Sequence, residues 1–417
     1  MKSGWEIIIE IFKFGGENDN YDLSKEAVDT LTIVLDKNNF QYVEEYFEKV
    51  VNCLIKFVNN QFEDHALTAL DLIENVAGYL GENTQLIDRI IEKGRMNFGT
   101  RNEKEEYKKA LWKSILYELS KKSFEVRTKV TIRCHELMFE LLSKYNVSMS
   151  NKLWKMLFSD LLKAMFDDLH IKMENKSTDI EMHNIYLDNA NTIITNIINM
   201  IKNMEQEKFS ISVKILLDTI QNFAMTNQNS PISIVMIEGM KTLTRECSEM
   251  FNEELWKCFI NVVCTLFENK EDKSLLVEQK SSNDEEFKVP SQYDKSGNRN
   301  PKLSTLYQTQ ASRLLKLIEN TDDIAKRYNE IEGEDLMKLL KNLEMSYDII
   351  HKFNLNIERR FELYAKIDLR SIHDKVPILL RHEINILEVY FIFLNELYNN
   401  EKTGISKDKI VDRIVAF

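Results

Sequence analysis

The sequence is poor in the residues that form tight turns. Among 417 residues there are only 11 glycines and 4 prolines, and a protein built from many short strands needs more of both. A sheet-rich fold is therefore not expected, and helices must carry most of the chain. Because the turn formers are spread thinly, a continuous stacked architecture fits better than several small domains.

Long apolar runs and a disulfide framework are missing as well. No apolar stretch reaches the roughly 18 to 20 residues needed to cross a bilayer, and the first residues lack the hydrophobic segment of a secretion signal. The five cysteines are an odd number, and they lie on apolar helical patterns. We therefore expect buried thiols in a reducing, cytoplasmic compartment.

The chain as a whole also lacks a net positive charge. Lys and Arg number 55 against 67 Asp and Glu, which gives a formal net charge of −12. Affinity for nucleic acid comes from cations that neutralise phosphates, so no nucleic-acid partner is expected. Any anionic partner must bind to a local basic patch.

The chain does contain strong helical periodicity. Between Gln41 and Asn59 the apolar residues recur every three or four positions, which places them on one side of a helix. Similar segments recur along the chain, and they predict about sixteen helices. Neighbouring pairs repeat at roughly 40 to 50 residues, which is the period of HEAT-type arrays. The predicted fold is all-α, an α-solenoid of HEAT- or armadillo-like helix pairs.

One polar stretch interrupts the helical pattern. The periodicity is lost between Asn269 and Lys302, which predicts a helical array over 1–269, a flexible polar loop or linker over 270–302, and a continuation of the array over 303–417. Two helix starts carry capping residues, namely Ser230 before Pro231, and Asn252 before two glutamates.

A search for catalytic motifs finds none. The glycines form no phosphate-binding loop, and His135-Glu136 lacks the second histidine of a zinc-protease helix. Trp112, Trp154 and Trp256 lie near the starts of amphipathic helices, where packing in the core is the expected role. We therefore expect no catalytic residue, no metal site and no cofactor, and the chain is predicted not to be an enzyme.

One segment departs from the acidic average. Residues 104–133 contain nine Lys or Arg against four Glu, a local net charge of +5. A solvated helical surface is the ordinary interpretation, and a docking surface for an acidic protein or anionic lipid is the functional one. The candidate residues for such a surface are Lys104, Lys108, Lys109, Lys113, Lys121 and Lys122.

Several short motifs resemble a known family. Phe124-Glu125-Val126-Arg127 resembles the signature in which an acidic residue and an arginine form ladders between HEAT repeats. The family motifs are Ser3-Gly4-Trp5, Glu125-Val126-Arg127-Thr128 and Leu153-Trp154-Lys155. In order and spacing these motifs are similar to the regions downstream of the catalytic domain in large, brefeldin A-inhibited-type guanine nucleotide exchange factors for ADP-ribosylation factor (Arf) GTPases. The C-terminal third resembles that family loosely.

The resemblance implies a regulatory helical array without the catalytic exchange domain. It implies that the chain binds a small GTPase of the Arf or Rab type, associates peripherally with anionic Golgi or endosomal membranes, and regulates exchange in vesicle trafficking. Ser3, Gly4, Trp5, Arg127 and Trp154 would be structural residues of the family motifs. The alternative is a HEAT-type scaffold or transport adaptor that is unrelated to exchange factors.

Overall fold

The computed structural model describes residues 4–36, 39–83, 85–94, 100–122, 124, 127–174, 180–227, 230–269, 301–367, 379–399 and 406–416. Within these ranges every regular element is a helix and no strand occurs. The all-α prediction is therefore confirmed for this part of the chain. Whether the helix pairs are of the HEAT or armadillo type stays a prediction.

The chain divides into two compact units, Met1–Ile215 and Leu216–Phe417, and the boundary falls within a long helix. The helices that begin in the first unit are α1 (Trp5–Gly16), α2 (Tyr21–Val34), α3 (Phe47–Val58), α4 (Glu63–Glu82), α5 (Leu86–Gly94), α6 (Arg101–Ser120), α7 (Thr128–Tyr145), α8 (Asn151–Glu174), α9 (Ile180–Lys202) and α10 (Gln206–Thr226). Those of the second unit are α11 (Ile232–Cys247), α12 (Glu253–Glu268), α13 (Pro301–Ala325), α14 (Gly333–Leu355), α15 (Ile357–Ile367), α16 (Leu380–Asn399) and α17 (Lys407–Ala416).

Eight helices of the first unit form two rows, and each helix packs on the next helix of its row. One row runs through α1, α3, α6 and α8, and the other runs through α2, α4, α7 and α9. Each helix thereby buries its apolar side against both its sequence neighbour and the next helix of its row. This is the arrangement in which paired helices cover each other's apolar faces.

In the second unit, too, helices pack on helices further along the chain. Helix α11 packs on α13, α12 packs on α14, and α13 and α14 both pack on α16. Trp256 and Tyr390 are fully buried in this unit, and so is the charged side chain of Arg313. A buried charge needs hydrogen-bond acceptors around it, and Arg313 donates to the carbonyl oxygen of Ala224 at 2.9 Å.

The segment between Gln41 and Asn59 is not one continuous helix. Two 3-10 turns, Phe40–Tyr42 and Glu44–Tyr46, precede α3. The carboxylate of Glu44 is buried, where it accepts hydrogen bonds from the Tyr79 hydroxyl at 3.0 Å and from the Arg89 guanidinium. These partners lie 35 and 45 residues away, so tertiary contacts override the local periodicity.

The two capping predictions have different outcomes. Asn252 is the N-cap of α12, and its side chain accepts a hydrogen bond from the amide of Leu255 at 2.9 Å, which confirms that prediction. At α11 the N-cap is Pro231, not Ser230, and no side chain caps the helix. Ser230 instead accepts a hydrogen bond from the amide of Ser233 through its backbone carbonyl.

Most of the predicted polar loop, residues 270–300, lies outside the described residues. Its last two residues belong to α13, which begins at Pro301. The helices on either side, α12 and α13, belong to the same compact unit and contact each other. The prediction of a flexible loop over 270–302 therefore stays a prediction.

Candidate interaction surface

The predicted basic surface follows α6. Thr100 fixes the start of this helix with a capping box, in which its hydroxyl accepts from the amide of Glu103 and the Glu103 carboxylate accepts from the amide of Thr100. Lys104, Lys108, Lys109 and Lys113 lie along the helix, and Lys121 and Lys122 follow its last residue. The six lysines are therefore close in sequence and share one element.

Four of the six ammonium groups form ion pairs. Lys104 lies 2.6 Å from Asp88, and Lys121 lies 2.8 Å from Glu118. Lys109 and Lys113 share the carboxylate of Asp160 at 3.3 and 3.1 Å. Burial opposes ionisation of Asp160, yet its hydrogen bonds to the two lysines hold the pKa of this carboxyl below its usual value. The acidic partners therefore offset much of the local positive charge.

The remaining two lysines make backbone contacts. The Nζ of Lys108 lies 3.5 Å from the carbonyl oxygen of Ser148, and the carbonyl of Lys122 accepts from the Thr131 hydroxyl. A shallow cavity of about 240 Å³ brings Lys104 and Lys108 together with Asp88, Glu105 and other residues of α4, α5 and α6. Exposed ion pairs of this kind are weak, so an anionic partner could replace Asp88 as the partner of Lys104. Binding at this surface stays a prediction.

The residues of the family motifs have structural surroundings where they are described. Ser3 lies outside the described residues; Gly4 precedes α1, which begins at the half-buried Trp5. Trp154 is fully buried in α8, stacks on Phe158 with ring centroids 5.2 Å apart, and donates from Nε1 to the Ser212 hydroxyl at 2.8 Å.

Arg127 binds the end of an earlier helix. From the N-cap position of α7 its guanidinium donates to the carbonyl oxygens of Val58, at 2.8 Å, and of Asn60. These carbonyls lie where α3 ends, and a cation there also interacts favourably with the negative end of the helix dipole. Glu125, the acidic residue of the expected ladder, lies outside the described residues.

Sequence reasoning missed two cations that act in the same way. The buried Lys208, in the first turn of α10, donates to the carbonyl oxygen of Asn146 just after α7, and Arg313 donates to Ala224 near the end of α10. A cation at the start of a helix is locally unfavourable. The unfavourable position of Lys208 in the first turn of α10 is the signal that could have identified it, whereas Arg313 lies in the middle of α13 and carries no such signal.

A ladder of ion pairs joins α4 to α7. Helix α4 carries five acidic residues and no Lys or Arg, whereas α7 supplies the matching cations. The pairs are Lys129 with Glu63 at 2.9 Å, Arg133 with Asp71 at 3.1 Å and with Glu74 at 2.6 Å, and Lys144 with Glu82 at 3.1 Å. The pairs follow one another in the same order along both helices, so they are compatible with one relative register and add a small stabilisation to the packing.

An open groove of about 320 Å³ lies between α4 and α7. Its floor contains Leu137, Leu141 and Tyr145, and its rim contains three carboxylates and one ammonium group, those of Glu74, Glu82, Glu140 and Lys144. The Tyr145 hydroxyl donates to Glu82 at 3.3 Å. Because all four of these charged groups already form ion pairs in the ladder or beside it, the groove has little charge left for a ligand.

The described residues offer no metal site. No group of three or more His, Cys, Asp or Glu among them could hold an ion, and His135 is buried in α7. Four of the five cysteines are buried and Cys258 is half-buried. Burial raises the pKa of the Cys53 thiol to about 12 and that of Cys264 to about 11. In the described part of the chain every helix is too short or too polar to cross a lipid bilayer.

Comparison with known proteins gives weak similarity to exchange factors. Brefeldin A-inhibited guanine nucleotide-exchange protein 3 of Arabidopsis thaliana is 22% identical over 464 residues, which cover 100% of this chain and 25% of that protein. Exchange protein 2 of the same plant is 24% identical over 187 residues, covering 40% of this chain and 10% of the relative. The chain thus spans about a quarter of the length of the first relative.

The C-terminal part of the chain matches a family model. The model described as the BIG2 C-terminal domain matches residues 312–417, the part of the chain where the motif resemblance is loosest. These similarities support a C-terminal region of the BIG type. A circular tandem repeat protein aligns with 99% of this chain and with 93% of its own chain at 11% identity, with a TM-score of 0.31.

Proposed function

We propose that this chain is a non-catalytic regulatory region of an Arf guanine nucleotide exchange factor of the BIG type. In this role it binds a small GTPase of the Arf or Rab type, a membrane surface or both, and regulates the exchange domain in vesicle trafficking. The observation that carries the proposal is the alignment of the whole chain with a quarter of an exchange protein. The match to the BIG2 C-terminal domain model supports it independently.

The described residues agree with a binding role. The groove between α4 and α7 and the cavity beside Lys104 are both open, and neither collects a nucleophile, a base and an orienting group as acyl-transfer or hydrolytic chemistry requires. Stacked helical arrays recognise partners through extended concave surfaces. Peripheral location on Golgi or endosomal membranes belongs to the same proposal.

The proposal is tested by binding and exchange assays on the intact chain. Biolayer interferometry against immobilised Arf and Rab GTPases should show stronger binding to the GTP-loaded than to the GDP-loaded form of at least one of them. Release of a fluorescent nucleotide from the same GTPases should not be accelerated. Absence of binding both to the GTPases and to anionic vesicles would favour the unrelated scaffold or adaptor, and accelerated exchange would contradict the non-catalytic role.

The basic surface on α6 has its own experiment. Lys104, Lys113 and Lys121 are each close to half exposed. We expect their joint replacement by Glu to weaken flotation with phosphatidylserine-containing vesicles at low salt, because polybasic surfaces bind anionic leaflets. A control with Lys25, Lys326 and Lys352 replaced by Glu makes the same change in net charge on other exposed lysines. Equal flotation of the two variants would remove the α6 surface from the proposal.

A further inference from the structure

Helix α1 exposes an apolar stripe. Ile7, Ile11 and Phe14 are 68%, 63% and 69% exposed, and their spacing of four and three residues places them on one side of the helix. The opposite side carries the buried Ile9 and Gly16, and α1 packs on α3. Leu23 of the neighbouring helix α2 is also 59% exposed.

This stripe is unusual for the outer side of a surface helix. Such helices normally direct polar residues to solvent. The exposed side of α1 instead resembles the sides of α3 and α6 that neighbouring helices cover. A cluster of large exposed apolar side chains is typical of an interaction site.

The charges around the stripe restrict what can cover it. Residues 4–36 contain eight acidic residues against two lysines, a formal net charge of −6. Lys13 already pairs with Glu10 at 3.4 Å, and the nearby Lys56 of α3 pairs with Glu17 at 2.6 Å. An anionic membrane would be repelled by this surface, and a second copy would bring like charges together. A partner with basic flanks is complementary to it.

We infer that the outer side of α1 is a docking surface for an amphipathic helix whose apolar stripe is flanked by Lys or Arg. The partner helix packs on α1 as α1 packs on α3, with its apolar residues against Ile7, Ile11 and Phe14. Its cations lie near the acidic side chains of α1 and α2. The inference rests on exposure and charge, and it does not depend on the proposed function.

The test uses the intact chain and two designed helical peptides of equal length. Both carry leucines at the three- and four-residue spacing of an amphipathic stripe; one has lysines flanking the stripe and the other has glutamates there. Fluorescence anisotropy of the labelled peptides is measured at low salt. We expect the lysine peptide to bind at least tenfold more tightly than the glutamate peptide.

A pair of matched variants locates the site. The double change Ile11→Ser with Phe14→Ser should weaken binding of the lysine peptide at least tenfold. The control, Val147→Ser with Ile171→Ser, removes two other apolar side chains that are 67% exposed and should leave binding unchanged. All four side chains are exposed, so both variants should keep the circular dichroism spectrum and thermal midpoint of the parent.

Three results would overturn the inference. The first is equal affinity for the two peptides, and the second is unchanged affinity in the α1 variant. The third is a different occupant: either a dimer mass in light scattering that the α1 variant returns to monomer, or flotation with phosphatidylcholine–phosphatidylserine vesicles that the same variant abolishes.

Discussion

Two glycines lie three residues apart inside α4, although a glycine within a helix is about 0.5–1 kcal/mol less favourable than alanine. At Gly81 a Cβ atom would lie 2.3 Å from ring atoms of Tyr145, so α7 can approach only a glycine there. Tyr145 is held from its other side by Trp112, with ring centroids 5.5 Å apart. At Gly78 the Cβ would meet only the Tyr145 hydroxyl, at an ordinary 3.5 Å.

These contacts predict opposite effects for one substitution at two sites. Gly81→Ala should destabilise the protein by about 1–3 kcal/mol, because the Tyr145 ring must move within a packed core. Gly78→Ala should be neutral or stabilise it by up to about 1 kcal/mol through helix propensity. The midpoint of urea unfolding measures both. An equal shift of the two variants would show that Tyr145 is free to move away from α4.

A comparable contrast is expected at the start of α7, between Arg127 and Lys129. Replacement by Met removes the donor for the carbonyls of Val58 and Asn60, and we expect a loss of about 1–3 kcal/mol because these groups are partly buried. The control is Lys129→Met, two residues further on, where the ammonium group is 75% exposed and pairs with Glu63. Its urea midpoint should not change measurably, and similar losses in both variants would contradict a specific role for Arg127.

At the scale of elements, α11 and α13 are joined by a carboxylate that bridges two cations. Glu319 of α13 lies 2.9 Å from Lys241 of α11 and 3.4 Å from Lys316 of its own helix. Burial raises the pKa of Glu319, but its hydrogen bonds to the lysines and their charges outweigh this effect and hold the pKa below its usual value. The ionised carboxylate therefore stabilises the packing of the two helices.

This pKa shift gives the unfolding free energy a pH dependence of known sign. Because the pKa is lower in the folded state than in the unfolded state, the stabilisation is present above the ordinary glutamate pKa of about 4.3 and is lost as the pH falls further. Glu319→Gln should lower the urea midpoint at pH 7, and the difference from the parent should shrink towards pH 3. The exposed Glu334→Gln serves as control, and a difference that persists at pH 3 would show that charge is not the cause.

Helix existence was predictable because long amphipathic segments carry their own periodicity, as α4 does over its 20 residues. Helix α5 is only nine residues long, too short for a periodic pattern to distinguish it from a turn. The side-chain partners were not predictable. Asp160 lies 51 and 47 residues after Lys109 and Lys113, so the composition of residues 104–133 indicates a charge that the folded protein largely offsets.

At the scale of the whole molecule, the polar run over 270–302 separates helices that belong to one compact unit. The helices before it, α11 and α12, pack on the helices after it, α13 and α14. Ion pairs add to this packing, such as Arg245 with Asp323 at 3.0 Å and Lys316 with Glu238 at 3.0 Å. Cutting the chain within the run should therefore leave these interhelical contacts in place.

Limited trypsin digestion tests the predicted linker and this packing together. The run contains six Lys or Arg between residues 270 and 300, and an accessible polar segment is cut before residues held in helices. We expect the first cleavage sites found by mass spectrometry to lie there. The two fragments should elute together in native size-exclusion chromatography and separate only in denaturant, because the buried faces of α11 to α14 still cover one another. First cuts within α6 or another helix would contradict the linker, and fragments that separate without denaturant would contradict the packing.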